Sequence, residues 1–83
     1  MFNVYIKETC PYSISAMRLL ERLNLQYKKF NVMDLGNTNG AINKLKSNGF
    51  IDKSSRHKTV PIIFGPTGEF IGGYDNLKIF LKQ

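Results

Sequence analysis

The 83 residues contain one cysteine, Cys10, and this count limits the ways in which so small a chain can be stabilised. Neither an internal disulfide nor a zinc site built from several thiolates can form. Hydrophobic residues make up 42% of the chain, which predicts a single globular domain over residues 1–83 that depends on its own core. Because secreted domains of this size usually carry disulfides, we expect a reducing compartment, the cytoplasm.

The charge balance and the hydropathy pattern argue against two classes of protein. Lys and Arg number 12 and Asp and Glu 6, and the net charge of +6 favours acidic partners in general. The basic residues are spread from Lys7 to Lys82 rather than clustered with aromatic residues on one element, so we expect no nucleic acid. No apolar run reaches the ~18 residues of a membrane span. Lys7-Glu8 follows the first apolar segment at once, so we expect no secretory signal.

Hydrophobic periodicity predicts four strands and three helices. Residues 2–6 alternate between apolar and polar, which is typical of a strand. A helix that opens at Pro11 and ends at Asn24 is predicted by the spacing of Ala16, Leu19, Leu20 and Leu23. Further strands are predicted at 27–32, 60–64 and 69–71, and further helices at 41–48 and from 75 or 76 to 81. The order β-α-β-α-β-β-α predicts a four-stranded mixed sheet flanked by three helices, the thioredoxin-like arrangement of the α/β class.

Cys10 is the first candidate for chemistry, because it stands where the first strand gives way to the first helix. As the residue before Pro11 it would be the N-cap, with its sulfur facing the free N–H groups of Tyr12 and Ser13. The helix dipole and the nearby charge of Lys7 both favour the thiolate form. The alternative is a buried, inert cysteine, which the adjoining polar turn and proline disfavour.

Two other motifs carry weaker signals. Pro61 interrupts an apolar run in which a strand is otherwise expected, so it marks either an ordinary strand start or a cis Val60–Pro61 bond that turns the Val60 backbone towards a ligand. In Gly72-Gly73-Tyr74-Asp75, the glycines permit close backbone approach and Asp75 can cap the last helix. The free N–H groups of a helix start also suit a carboxylate ligand, although a plain strand-to-helix turn explains this motif about as well.

The three motifs together, in this order and at these distances, resemble those of the glutaredoxins: Lys7-Glu8-Thr9-Cys10-Pro11-Tyr12-Ser13, Thr59-Val60-Pro61 and Gly72-Gly73-Tyr74-Asp75. The resemblance runs through essentially the whole chain. It implies the thioredoxin-like fold, a cis Pro61 close to Cys10, and glutathione as ligand and co-substrate.

The resemblance also implies roles for individual residues. Cys10 is the nucleophile that forms a mixed disulfide with glutathione. Lys46 is a candidate for the glycyl carboxylate. The remaining glutathione-binding residues are Lys7 and Tyr12 beside the ligand, Thr59, Val60 and Pro61 along its cysteinyl backbone, and Gly73, Tyr74 and Asp75 around its γ-glutamyl end.

Ser13 departs from the pattern that the resemblance sets. Most dithiol glutaredoxins read Cys-Pro-Tyr-Cys, and the common monothiol class reads Cys-Gly-Phe-Ser, whereas this chain reads Cys-Pro-Tyr-Ser. Two interpretations stay open: a natural monothiol enzyme with dithiol-like surroundings, or an engineered Cys→Ser change at position 13.

The function implied is a glutathione-dependent thiol–disulfide oxidoreductase that uses a monothiol mechanism. Expected partners are glutathione and glutathionylated or disulfide-containing proteins, with ribonucleotide reductase as one candidate, and the protein is expected to be a monomer without a metal site of its own. The alternative is a protein that shares a glutathione-ligated [2Fe–2S] cluster between two protomers. Pro11 argues against that alternative, since cluster-binding glutaredoxins usually carry a smaller or more pliant residue there.

Overall fold

The computed structural model describes all 83 residues. Strands and helices alternate in the predicted order, with one additional 3-10 turn after the second strand. The elements are β1 (Phe2–Ile6), α1 (Pro11–Arg22), β2 (Tyr27–Asn31), the 3-10 turn (Val32–Leu35), α2 (Thr38–Ser47), β3 (Ile62–Phe64), β4 (Phe70–Gly72) and α3 (Tyr74–Phe80). None of the helices combines the length and the apolar character that crossing a bilayer requires.

The four strands form one mixed sheet in the order β2-β1-β3-β4. β1 pairs with β2 in parallel, which requires the α1 crossover, and β1–β3 and β3–β4 are antiparallel. The predicted thioredoxin-like sheet with three helices is therefore confirmed. β2 is an edge strand, and its Lys28 and Lys29 are exposed, as expected for an edge protected from pairing with other chains.

The sheet separates two apolar clusters. On one face, alternate side chains of β1 pack against α1 and α3, and this cluster consists of Phe2, Val4, Ile6, Ala16, Leu19, Leu20, Ile63 and Leu77. On the other face, a second cluster includes residues of α2 and of the segment after it. It consists of Val32, Ala41, Ile42, Leu45, Ile51, Ile62 and Phe64. The period-2 alternation along β1 is what divides its side chains between the two faces.

The connection between β2 and α2 is more ordered than the sequence pattern predicts. Residues 34–40 read as turns, yet α2 begins at Thr38, three residues before the predicted start. The Asn37 side chain accepts a hydrogen bond from the Gly40 N–H at 2.7 Å and so caps the helix. Asn31 caps the preceding 3-10 turn in the same way, accepting from the Met33 N–H at 2.9 Å.

The last three elements are each offset from prediction by one or two residues. β3 begins at Ile62 rather than at residue 60, since Pro61 has no N–H to give to the sheet. β4 is shifted by one residue. The prediction that Asp75 caps the last helix is wrong: α3 starts at Tyr74 with Gly73 as its N-cap, and the Asn76 side chain accepts from the Gly73 N–H at 3.1 Å.

Candidate active site

Cys10 lies at the N-cap of α1, half-buried, with extended backbone angles. Its N–H donates to the Lys7 carbonyl at 2.9 Å, which closes the turn after β1, and its carbonyl accepts from the Ile14 N–H at 3.2 Å. No hydrogen bond joins this side chain to the helix N–H groups that the sulfur was expected to face. The sulfur instead points across the site, 3.8 Å from the Val60 carbonyl oxygen.

Ser13 lies one helical turn after Cys10 and is completely buried. Its Oγ accepts a hydrogen bond from the Lys7 N–H at 3.4 Å. A buried hydroxyl needs such a partner, and here the bond ties the first turn of α1 to the loop that carries the thiol. In this chain the position that holds the second cysteine of dithiol glutaredoxins therefore supports the Cys10 loop.

Val60 and Pro61 form the opposite side of the site. The Val60–Pro61 peptide bond is cis, as predicted, and Pro61 is buried. Val60 precedes the first residue of β3, and its N–H takes no part in the backbone hydrogen bonds of the protein. Its carbonyl faces the Cys10 sulfur. The predicted closeness of this segment to Cys10 is thus confirmed, and a backbone donor is free beside the thiol.

Two adjoining depressions meet at Tyr12, Thr59 and Val60, and we call them together the thiol groove. Their volumes are about 430 Å³ around Cys10 and about 310 Å³ towards α3. The groove is lined by Lys7, Thr9, Cys10, Tyr12, Thr38, Lys58, Thr59 and Val60 at one end, and by His57, Pro61, Gly73, Tyr74, Asp75 and Asn76 at the other. Every predicted contact residue except Lys46 lines it, whereas Ser13 lies beneath it.

The groove combines aromatic sides with an excess of positive charge. The rings of Tyr12 and Tyr74 lie 6.5 Å apart between centroids and flank the opening. Lys7 and Lys58 are exposed and pair with no carboxylate. The one ion pair of the protein joins Asp75 to Lys78 at 3.4 Å, with the Asp75 side chain 83% exposed. Such a surface attracts a small anionic ligand. The exposed Asp75 carboxylate can in addition contact an ammonium group of that ligand.

Lys46, the candidate for the glycyl carboxylate, does not line the groove. Its ammonium group donates to the Ser55 carbonyl at 2.8 Å and so connects α2 to the loop that leads to Thr59. In the same loop the Ser54 N–H and hydroxyl both donate to Asp52 Oδ1 at 2.8 Å. These bonds lower the pKa of the Asp52 carboxyl below 3.8, the backbone N–H contributing most. The loop is therefore held by polar contacts rather than by a helix or strand.

Five residues of the lining were not among the predicted site residues: Thr9, Thr38, His57, Lys58 and Asn76. His57 packs edge-on against Phe70, with ring centroids 5.5 Å apart, and its buried Nε2 has no hydrogen-bond partner within the protein. A single histidine in a polar loop belongs to no motif, so nothing in the sequence marks it. Asn76 could have been found, because an amide three residues after a glycine N-cap fits the capping-box pattern.

No three His, Cys, Asp or Glu side chains lie together as a metal site within the chain would require. The groove instead presents one thiol, a free backbone N–H and unpaired lysines. This set can attack a disulfide and hold an extended anionic peptide while the exchange takes place.

Comparison with known proteins leads to the same chemistry. Residues 3–71 match the family model "Glutaredoxin". A probable glutaredoxin of Acanthamoeba polyphaga mimivirus is 35% identical over 82 residues, spanning 96% of this chain and 76% of the viral protein.

Solved structures agree on the fold. Reduced Escherichia coli glutaredoxin superposes with a TM-score of 0.71 at 26% identity, covering 98% of this chain and 92% of its own. The dithiolic glutaredoxin 2-C-Grx1 of Trypanosoma brucei brucei gives 0.71 at 30% identity, covering 98% and 76%. A buckwheat glutaredoxin solved as its glutathione complex gives 0.71 at 23%, covering 98% and 67%. With a Cys-Pro-Tyr motif at the helix start and a matching fold around it, the chain belongs to the glutaredoxin family of thiol–disulfide oxidoreductases.

Proposed function

We propose that the protein reduces glutathione mixed disulfides with glutathione as co-substrate, and that it does so with one thiol. The observation that carries this proposal is the half-buried Cys10 sulfur, which faces the Val60 carbonyl across an open groove. No other thiol exists in the chain. The cycle therefore cannot pass through an internal disulfide.

The groove suits glutathione in its charges and its backbone groups. The cysteinyl residue of glutathione would pair with the Val60 backbone, whose N–H has no partner in the protein's own backbone bonds. Its γ-glutamyl end would lie along Gly73 and Tyr74, with Asp75 facing the ammonium group. Lys7 and Lys58 supply positive charge for a carboxylate. The buckwheat relative solved as a glutathione complex supports the same ligand.

The exchange takes place in two steps. The Cys10 thiolate attacks the glutathione sulfur of a glutathionylated protein; the substrate S–S bond breaks, the substrate thiolate leaves and takes up a proton, and Cys10 carries glutathione. A second glutathione, as thiolate, attacks the sulfur of that bound glutathione. Glutathione disulfide is released and the Cys10 thiolate returns. Over the two steps, one mixed disulfide and one free glutathione become one protein thiol and one glutathione disulfide, so atoms and electrons balance.

Glutathionylated proteins are the substrates that this cycle requires, and a reducing compartment such as the cytoplasm would supply the glutathione that it consumes. Substrates with an internal disulfide would form a mixed disulfide with Cys10, and a second thiol in the enzyme would be needed to break it. We therefore expect the chain as it stands to act poorly on them.

Mass spectrometry after treatment with oxidised glutathione tests the proposal. The chain is expected to gain one glutathione, on Cys10. Cys10→Ser is expected to gain none and to show no turnover. Ser13→Cys is expected to lose two hydrogens instead, because positions three apart in a helix lie close enough for a disulfide after a small adjustment. If Cys10 reacts with iodoacetamide but takes up no glutathione, the proposal is wrong. A brown protein after anaerobic purification would favour the cluster-binding alternative.

A further inference from the structure

A second cavity lies outside the thiol groove. It has a volume of about 340 Å³ and opens between the edge strand β2, the 3-10 turn and the C-terminal half of α2. No residue is shared between the two. The volume falls at the lower end of the range of about 300–1,000 Å³ that is typical of small-molecule sites. We call this cavity the α2 pocket.

Aromatic rings form much of the α2 pocket. Tyr5 and Phe30 stack with centroids 4.6 Å apart and planes 15° from parallel. Behind them Phe64 contacts Tyr5 at 5.9 Å and Phe50 at 6.4 Å, both edge-on. Phe50 is 58% exposed. An aromatic side chain so exposed at the entrance of a cavity would gain contact area from a flat ring placed against it.

The charges around the α2 pocket favour an anion. Lys29 and Lys44 both line it. Neither lysine belongs to an ion pair. Asp34 is the one acidic residue in the lining and opposes them. The Tyr5 phenol also lines the pocket, and its hydroxyl is a hydrogen-bond donor at neutral pH.

We propose that the α2 pocket binds a planar aromatic carboxylate, with its ring against Phe50 and the Tyr5–Phe30 pair and its carboxylate towards Lys44. The flat apolar lining, the two unpaired lysines and the hydroxyl donor all lie outside the thiol groove. The inference therefore stands independently of the proposed redox function.

A fluorescence titration with 2-naphthoate tests the proposal, because the chain contains no tryptophan to interfere. We expect saturable binding to the full chain. The neutral analogue 2-naphthamide, which has the same ring, should bind at least threefold more weakly. Saturating glutathione should leave naphthoate binding unchanged, and so should Tyr12→Ala, since Tyr12 lies in the thiol groove.

Two variants separate the contributions of ring and charge. Phe50→Ala should lower the affinity for both probes about tenfold, and Phe50→Leu should lower it less. The two variants should keep wild-type redox activity, since Phe50 is exposed and outside the thiol groove. Lys44→Gln should weaken binding of the carboxylate but not of the amide. Lys53→Gln removes the same charge elsewhere and should change the affinity for neither probe. Absence of saturable binding, equal affinity for the amide, or displacement by glutathione would each overturn the proposal.

Discussion

The two sides of the thiol groove are built differently. The Cys10 side is the start of a 12-residue helix that is packed on the sheet and supported from below by buried Ser13. The Val60 side is a segment with no helix or strand between Ser47 and Ile62. It is fixed by the buried side chains Ile51 and Pro61, with polar bonds between them. The nucleophile thus lies on a regular element, and the backbone that would hold the ligand lies on a loop whose position depends on a few contacts.

The largest effect of this difference is expected from Lys46→Met, which removes the bond from α2 to the Ser55 carbonyl. A hydrogen bond from a charged donor at a part-buried site stabilises by about 1 kcal/mol net, and that amount corresponds to about fivefold in an equilibrium. We expect KM for a glutathione mixed disulfide to rise by up to about fivefold while kcat stays unchanged. Steady-state kinetics of Lys46→Met and of the wild type measure this.

Lys53→Met is the matched control for that substitution. It removes the same charge from the loop itself, but the Lys53 side chain is exposed and donates no hydrogen bond. Its KM should stay close to that of the wild type. Equal changes in the two variants would mean that net charge, not the position of the loop, sets the affinity.

The sequence predicts the Cys10 side of the groove better than the Val60 side, for a physical reason. Alternation in β1 and apolar spacing in α1 are local patterns that bury the residues they predict, so the placement of Cys10 followed directly. Residues 52–58 have no periodicity, and their structure depends on contacts with distant residues such as Lys46. Lys46 could be named only as a candidate for the glycyl carboxylate, because nothing in a polar loop shows that the Ser55 carbonyl accepts a hydrogen bond from its ammonium group.

On the Cys10 side, a hydrogen bond from the Tyr27 hydroxyl to the Glu21 carboxylate fastens the end of α1 to β2. This bond, with smaller contributions from burial and from the charge of Glu21, raises the pKa of Tyr27 from 10.0 to about 12. Because the folded-state pKa is raised, the stabilisation is fully present below pH 10 and is lost as the pH rises towards 12.

Tyr27→Phe should therefore cost about 0.5 kcal/mol at neutral pH, the modest value of a solvent-screened contact. The difference between the two proteins in the free energy of unfolding, measured in urea, should shrink in alkaline solution. Ultraviolet titration supplies a second check: Tyr27→Phe should remove the tyrosine ionisation that occurs at the highest pH. If Glu21→Ala, which removes the acceptor, leaves that ionisation where it was, the hydrogen bond is not its cause.

The smallest effect is expected on the Val60 side, at the opposite end of the pH range. Hydrogen bonds from Ser54 to Asp52 lower the pKa of that carboxyl, so its contribution to stability is present above the unfolded value of 3.8 and is lost as the pH falls through the lower folded value. Asp52→Asn keeps an oxygen that can accept from the Ser54 N–H but cannot titrate. Wild type should be slightly the more stable of the two at neutral pH, and urea unfolding should show that advantage vanish in acid. An advantage that persists in acid would mean that the loop does not depend on the Asp52 charge. In that case protonation of Asp52 would not destabilise the Val60 side of the groove. The two sides would then not differ in the way proposed, with one sensitive to acid and the other to alkali.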